Sequence, residues 1–211
     1  MKLLLYLSLI LFLPYVSTAT DIKINLSDSE KARLSDGKIV FREVPANNQS
    51  GKTFEAIGLI QATVDEVFQV LTKFEDYHVF QPHVTSVNIL ERGANHALLD
   101  FTLTLPLGKR KRYRLSETFE NSGSSAVIKW EKSDWPELKR RDTINDSQGY
   151  WFVTNYPAKK EHVIAVYHIY TDPGPIPPGL GWIADILSKK SVPKVVVNTR
   201  EYVYKIFKRD K

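Results

Sequence analysis

The chain has 211 residues, 43% hydrophobic and 25% charged, with no cysteine and a formal net charge of +5. That balance excludes a disordered chain, a disulfide scaffold, a thiol nucleophile and a thiolate metal site. The length suits one domain with a sizeable core.

The first element is a leader. Lys2 precedes an almost unbroken apolar run, Leu3 to Val16, and Ser17-Thr18-Ala19 follows it. A charged start, a short apolar stretch and small residues at the end are the layout of a secretory signal peptide. The run is shorter than the ~20 residues of a spanning helix, and Pro14 interrupts it. Residues 1–19 are therefore read as a signal peptide and 20–211 as an exported domain, periplasmic or secreted. An uncleaved anchor would need a longer apolar core.

Ser27 with Glu30 forms a capping box that opens a short helix over Asp28 to Leu34, and Gly37 ends it. Ile39 to Val44 and Lys52 to Ala62 read as strands, with a turn cluster at Asn47 to Gly51. Thr63 with Glu66 repeats the capping box. Val64, Val67, Phe68, Leu71 and Phe74 then follow helical spacing. Seven strand-like segments come next: Val84–Glu91, Ala97–Leu107, Arg110–Glu120, Ala126–Lys132, Lys139–Asn145, Gly149–Tyr156 and Glu161–Thr171. Short turn-rich gaps between consecutive strands argue an antiparallel meander. Asp172-Pro173-Gly174-Pro175 and Pro177-Pro178-Gly179 end the sheet, and Trp182 to Ser188 reads as a short helix. Ser191 to Lys208 is a long helix with Pro193 in its first turn, where a missing N–H costs little. Val192, Val195, Val196, Thr199, Val203, Ile206 and Phe207 give that helix an apolar stripe.

A long antiparallel sheet twists and curls, and a one-sided helix must lie against it. Between the two lies either packed core or a cavity. Alternation turns Leu99, Phe101, Leu103 and Leu105 inward, together with Tyr113, Leu115 and Phe119. Glu117 falls on that same inward face. An unpaired carboxylate there is costly. Glu117 therefore pairs with an arginine of a neighbouring strand, or is flipped out by a bulge, or serves as a polar anchor inside an apolar pocket. Trp130, Trp135, Trp151 and Trp182, with Tyr77, Phe80 and Tyr167, are either core residues or pocket lining.

Basic residues cluster at Lys109–Arg112 with Arg114, at Lys139–Arg141, Lys159-Lys160, Lys189-Lys190 and Lys205–Lys211. They make a solvated face or a contact for anionic lipid headgroups. No nucleic-acid recognition motif is present, and none of the common nucleotide, metalloprotease or hydrolase motifs occurs. The five histidines, His78, His83, His96, His162 and His168, have no ligand-like convergence, so neither a metal nor a cofactor is expected. His78 and His83 flank Pro82 in a loop, and His162 and His168 share one strand. Glu75, Asp76 and His78 form either an acid–base cluster or an ordinary helix end.

Four stretches together resemble the START-like superfamily, also called SRPBCC, whose members include lipid-transfer, polyketide cyclase and coenzyme Q-binding proteins. They are Phe54–Ala62 leading into Val64–Leu71, then Phe74–Tyr77 through Phe80-Gln81-Pro82, then Gly149-Tyr150-Trp151 before Val166-Tyr167, and finally Asp172–Pro177 before the last helix. The resemblance spans about residues 27–208. It implies an α+β helix-grip fold, a curved antiparallel sheet wrapped around the long C-terminal helix, with a ligand cavity beneath that helix. It carries no single catalytic motif, so it speaks to fold more than to activity.

The combined expectation is an exported carrier of an apolar small molecule or lipid. Glu117, Tyr113, Phe101, Leu103, Trp130, Trp151, Tyr167, Trp182, Val196 and Val203 are the expected ligand contacts. Peripheral contact with an anionic membrane surface is a further expectation. The alternatives are a cyclase- or hydrolase-like enzyme in the same cavity, and an interaction module whose cavity is filled by its own side chains.

Overall fold

A computed structural model describes residues 22–45, 51–105, 108–174 and 189–209. Residues 1–21, with the expected signal peptide, most of the Asn47–Gly51 turn, the Pro175–Ser188 stretch and its Trp182 lie outside the described residues. No helix of the described residues is long and apolar enough to cross a membrane.

Both expected capping boxes form. Helix α1 (Asp28–Ser35) starts with Ser27 Oγ accepting from the Glu30 N–H at 3.3 Å, while Glu30 Oε2 accepts from the Ser27 N–H at 2.8 Å. Helix α2 (Val64–Thr72) starts on Thr63 and Glu66 in the same way, at 3.2 and 2.8 Å. Two orphan donors are satisfied at each start. Gly37, at φ 74°, supplies the left-handed turn that leads out of α1.

Eight strands form one antiparallel sheet in the order β1-β2-β8-β7-β6-β5-β4-β3. They are β1 (Val40–Val44), β2 (Lys52–Ile60), β3 (Val84–Arg92), β4 (His96–Thr104), β5 (Arg110–Asn121), β6 (Ser125–Ser133), β7 (Asp146–Asn155) and β8 (Val163–Asp172). Strands β3 to β8 form the meander, and β2 then pairs with β8. Helix α2 and the short α3 (Tyr77–Phe80) bridge β2 to the far edge at β3.

The inner face of the sheet is covered by helices, and the outer face is covered at the β1, β2 and β8 end. Inward residues such as Phe54, Ala56, Leu99, Phe101, Ile128 and Val153 pack with α2 and the C-terminal helix, α4 (Ser191–Phe207), into one core. Outward residues Val40, Ile57, Leu59, Ile164 and Val166 make a second, smaller core under Leu34 of α1. Helix α4 runs about 25 Å at 1.5 Å per residue and packs on β2, β8, α2 and α3. It crosses β2 at Gly58, where an added Cβ would stand 2.8 Å from both Val196 Cγ1 and Ile39 Cδ1. The missing side chain is what lets the helix lie this close to the strand.

Three sequence expectations change. Lys139–Asn145 is not a strand: β6 pairs directly with β7, so this stretch is their connection and contains a 3₁₀ turn at Arg140–Asp142. Its Lys-Arg-Arg run has no alternating apolar face, and Lys111 Nζ ties it down by donating to the Arg141 and Thr143 carbonyls. Helix α2 stops at Thr72, before Phe74, and a 3₁₀ turn at Phe74–Asp76 follows. The break buries Phe74 fully and lets Tyr77 Oη donate to the Leu71 carbonyl at 2.6 Å. Finally, β8 starts at Val163, so His162 sits in the preceding turn and shares no strand face with His168.

Candidate functional site

The inward face of the meander and the first turns of α4 do not close completely. A cavity of about 140 Å³ remains between them. Phe101, Leu103, Tyr113, Leu115 and Glu117 of β4 and β5 form one wall, and Trp130, Trp151, Tyr167 and Ile169 of β6 to β8 form the other. Ser191, Val192 and Val195 of α4 roof it, and Tyr77, Gln81, Pro82 and His83 border one side. Seven of the expected contacts therefore line one space: Glu117, Tyr113, Phe101, Leu103, Trp130, Trp151 and Tyr167. Val196 and Val203 do not. Both are fully buried in the packed part of α4, turned toward the core beyond the cavity. The helical stripe marked a buried face from Val192 to Val203, but Ile206 is 43% exposed and Phe207 only half-buried, and only the first turn, Val192 and Val195, meets the hollow.

Glu117 is the centre of the site. Strand β5 alternates as expected, so its side chain points inward and is 3% exposed. Its register partners are Ala97 on β4 and Trp130 on β6, neither able to neutralise it. Oε2 has no hydrogen-bond partner. The neighbouring strands β4 and β6 carry no arginine, and Arg114, on the same strand, is turned to the other face and bound to Asp100 by two bonds of 2.7 and 3.0 Å. Neither the arginine pair nor the bulge describes Glu117. Burial pushes its pKa up to about 8, because a charge here has lost its water. The carboxyl is accordingly neutral over most of the physiological range and can donate as well as accept.

Three tyrosines surround it. Burial, and secondarily the charge of Glu117, holds Tyr113 above its ordinary range, and burial does the same for Tyr77 and Tyr167. All three are phenols, not phenolates. Their rings join a continuous aromatic lining. Trp130 stacks on Tyr167 at 5.4 Å, Trp151 tilts against Tyr167 at 4.7 Å, and Phe101 stacks on Tyr113 at 5.2 Å. Gly149, opposite Trp130, leaves room for the indole: an added Cβ would meet Trp130 and the His168 carbonyl.

His83 stands beside the roof. Its Nε2 lies 3.0 Å from Ser191 Oγ, so one hydrogen bond joins the segment before β3 to the start of α4. Burial, with the charge of Lys194 second, depresses its pKa. Its backbone is left-handed at φ 66°, and its carbonyl accepts from the Thr104 N–H at 2.9 Å. Sequence reasoning treated His83 only as a loop residue. The strained backbone that places it was not visible in composition or spacing.

The other suspected clusters are structural. Glu75 binds Arg92 at 2.9 Å, and Asp76 accepts from Lys73 and the Tyr202 hydroxyl, both at 2.8 Å. His78 lies in α3, where its ring nitrogen meets the Glu75 carbonyl. No group of three or more metal-ligating side chains converges among the described residues. Trp135 sits under Arg114 and Arg112 at 4.9 and 5.6 Å, a cation–π stack remote from the cavity lining.

Residues 60–134 match the model of the family described as polyketide cyclase / dehydrase and lipid transport. No curated protein matches the sequence. Among solved structures, a fragment of the STAR-related lipid transfer protein from Xanthomonas axonopodis superposes with a TM-score of 0.66. It is 16% identical, over 78% of this chain and 93% of that one. Human STARD10 gives a TM-score of 0.64 at 12% identity, over 90% and 84% of the two chains. The Zhui aromatase/cyclase from Streptomyces sp. R1128 gives 0.54 at 15%, over 81% and 95%. The shared property is the fold: a START-like helix grip.

Proposed function

From a START-like fold that closes over one unpartnered carboxyl, we propose that this protein binds and carries an apolar ligand, with Glu117 orienting its polar end. The observation that carries this reading is the combination of an aromatic-lined cavity with one inward carboxyl among the described residues, Glu117. Ligand sites have this chemistry: an apolar wall for affinity and a few polar groups for orientation. The family match and the lipid-transfer neighbours point the same way.

Volume limits what fits. About 140 Å³ is below the ~300–1,000 Å³ of sites that swallow a whole drug-sized ligand, and close to a cavity that holds benzene. The space accepts the end of a ligand, and a longer chain needs α4 to move away from the sheet. The His83–Ser191 hydrogen bond ties the start of α4 to the segment before β3, where that movement would begin. An acid–base enzyme would need a second titrating group at Glu117; the tyrosines there are held as phenols, and the Nε2 of His83, on the border of the cavity, is engaged by Ser191 Oγ at 3.0 Å. That favours the carrier over the cyclase-like reading.

We read the leader as an export signal, so the carrier works in the periplasm or outside the cell. Exposed bases gather at the end of the sheet where α4 begins: Lys109, Arg110, Arg112, Lys139, Arg140, Lys190 and Lys194. An anionic lipid surface is the partner that such a face suits.

The test is native mass spectrometry of protein isolated from its own exported compartment. An apolar small molecule should co-purify and be lost on Leu103→Trp, which fills the cavity without adding charge. N-terminal sequencing of the same sample should begin near Thr20. A ligand-free protein that takes up no apolar probe, or an intact Met1 on cytosolic protein, defeats the respective half of this reading.

A further inference from the structure

The sign of the cavity's electrostatics narrows the ligand. Among the described residues the lining contains no lysine or arginine. Its one carboxyl among them, Glu117, has an oxygen without a partner and stands among Phe101, Tyr113, Trp130, Trp151 and Tyr167. Aromatic faces are electron-rich, and a cation above them is attracted most strongly when water is excluded. Among the described lining residues, the aromatic faces, and Glu117 once it is ionised, therefore favour positive charge. A carboxylate or phosphate buried here would meet no cation and would face Glu117 across a medium of low polarizability.

Resting on the carrier reading, we propose that the buried end of the ligand is a basic nitrogen, an amine or quaternary ammonium, seated between Glu117 and the surrounding rings. The size agrees, since about 140 Å³ suits a trimethylammonium group or a single ring.

Proton balance follows from the nitrogen. A neutral amine takes the Glu117 proton: the carboxyl O–H breaks, an N–H forms, and a charge pair is created inside the cavity with no proton exchanged with water. A quaternary ammonium cannot accept a proton. Its binding instead expels the Glu117 proton to solvent whenever the free carboxyl is protonated, which burial ensures below about pH 8. The other titratable groups facing the cavity do not obscure this. Tyr77, Tyr113 and Tyr167 are raised further from neutrality, and His83 is lowered by burial.

Three ten-carbon probes, each below its micelle concentration, test it: decyltrimethylammonium, decan-1-ol and decanoate. Binding to the full mature chain is read by isothermal titration calorimetry and by Trp fluorescence. At pH 9 the cation should bind at least about tenfold tighter than the alcohol, the scale of a desolvated cation–π contact. That advantage should shrink at pH 6, with about one proton released per cation bound. Decanoate should bind worst at both pH values. Glu117→Gln should keep decanol binding while losing the cation's advantage and its proton release. Decanoate binding as tightly as the cation, or a cation advantage that survives Glu117→Gln, overturns the inference. Decanol binding with no preference for the cation leaves the carrier and removes the amine. Binding of none of the three removes both.

Discussion

Two glutamates on the same sheet, Glu55 partly buried and Glu117 fully buried, are treated in opposite ways. Glu55, on the outer face of β2, keeps 15% of its side chain exposed and meets Arg42 Nη1 at 3.0 Å, with His168 Nδ1 at 3.6 Å. The same Arg42 also holds Glu30 of α1 through bonds of 2.7 and 2.8 Å. Burial thus comes with compensation on the outer face, where charge fastens α1 onto the strands. Glu117, on the inner face, has a free oxygen and no cation. Outer-face charge reads as architecture. An inner-face charge left unpaired costs stability, so its retention needs a purpose beyond folding.

The sharpest way to break this contrast is Glu117→Gln. The buried carboxyl has a pKa of about 8 against an ordinary 4.5. Because the folded value is raised, the unfolded chain sheds its proton first as pH rises. Wild-type stability therefore falls between about pH 4.5 and 8 and levels off above that. The gap corresponds to about 4–5 kcal/mol. The glutamine variant should match wild type near pH 4 and exceed it by most of that amount at pH 8 and above, in urea unfolding at each pH. A variant less stable than wild type at pH 8 means that Glu117 has a partner cation after all.

The contrast was partly legible beforehand. Strand β5 alternates cleanly, so Glu117 fell on the inward face together with Tyr113, Leu115 and Phe119 from sequence alone. What alternation does not reveal is the partner, because Arg114 and Asp100 find each other across two strands whose register only the fold sets. The helical stripe of α4 likewise identified a buried face as far as Val203, while Ile206, placed in the same stripe, is exposed. It did not separate Val192 and Val195 at the cavity from Val196 and Val203 in solid core, a difference of helix placement against β2. Lys139–Asn145 misled for a related reason: strand propensity is settled by pairing, and β6 and β7 had already paired with each other.

Removing compensation from the outer face should act with the opposite sign. Arg42→Leu strips Glu30 and Glu55 of their shared cation, although Arg42 is 30% exposed and water relieves part of the loss. The expected cost near pH 7 is about 2–3 kcal/mol, below that of a fully buried pair. Arg42, with the Ser27 contacts second, holds the Glu30 pKa down to about 2. That contribution is complete above about pH 4.5 and fades as pH falls toward 2, so wild type and variant should converge on acidification. Melting curves of both across that range check it. A constant difference would mean that Arg42 acts through packing of its stem, not through charge.

The smallest effect on stability should come from Gly149→Ala, and it sharpens the inner half of the comparison. The new Cβ would press on the Trp130 ring and on the His168 carbonyl, so the indole must tilt or the β7–β8 ladder must spread. Overpacking of this kind costs about 1–3 kcal/mol, partly offset by the strand-favouring swap of glycine for alanine, for a net loss of about 1–2 kcal/mol. The same displacement moves Trp130 relative to Tyr167, with which it stacks at 5.4 Å in the lining. Ligand retention should therefore drop more than the stability change alone accounts for, while the Arg42 network stays intact. Unchanged Trp fluorescence and unchanged probe binding in a folded Gly149→Ala protein would show that Trp130 does not shape the cavity.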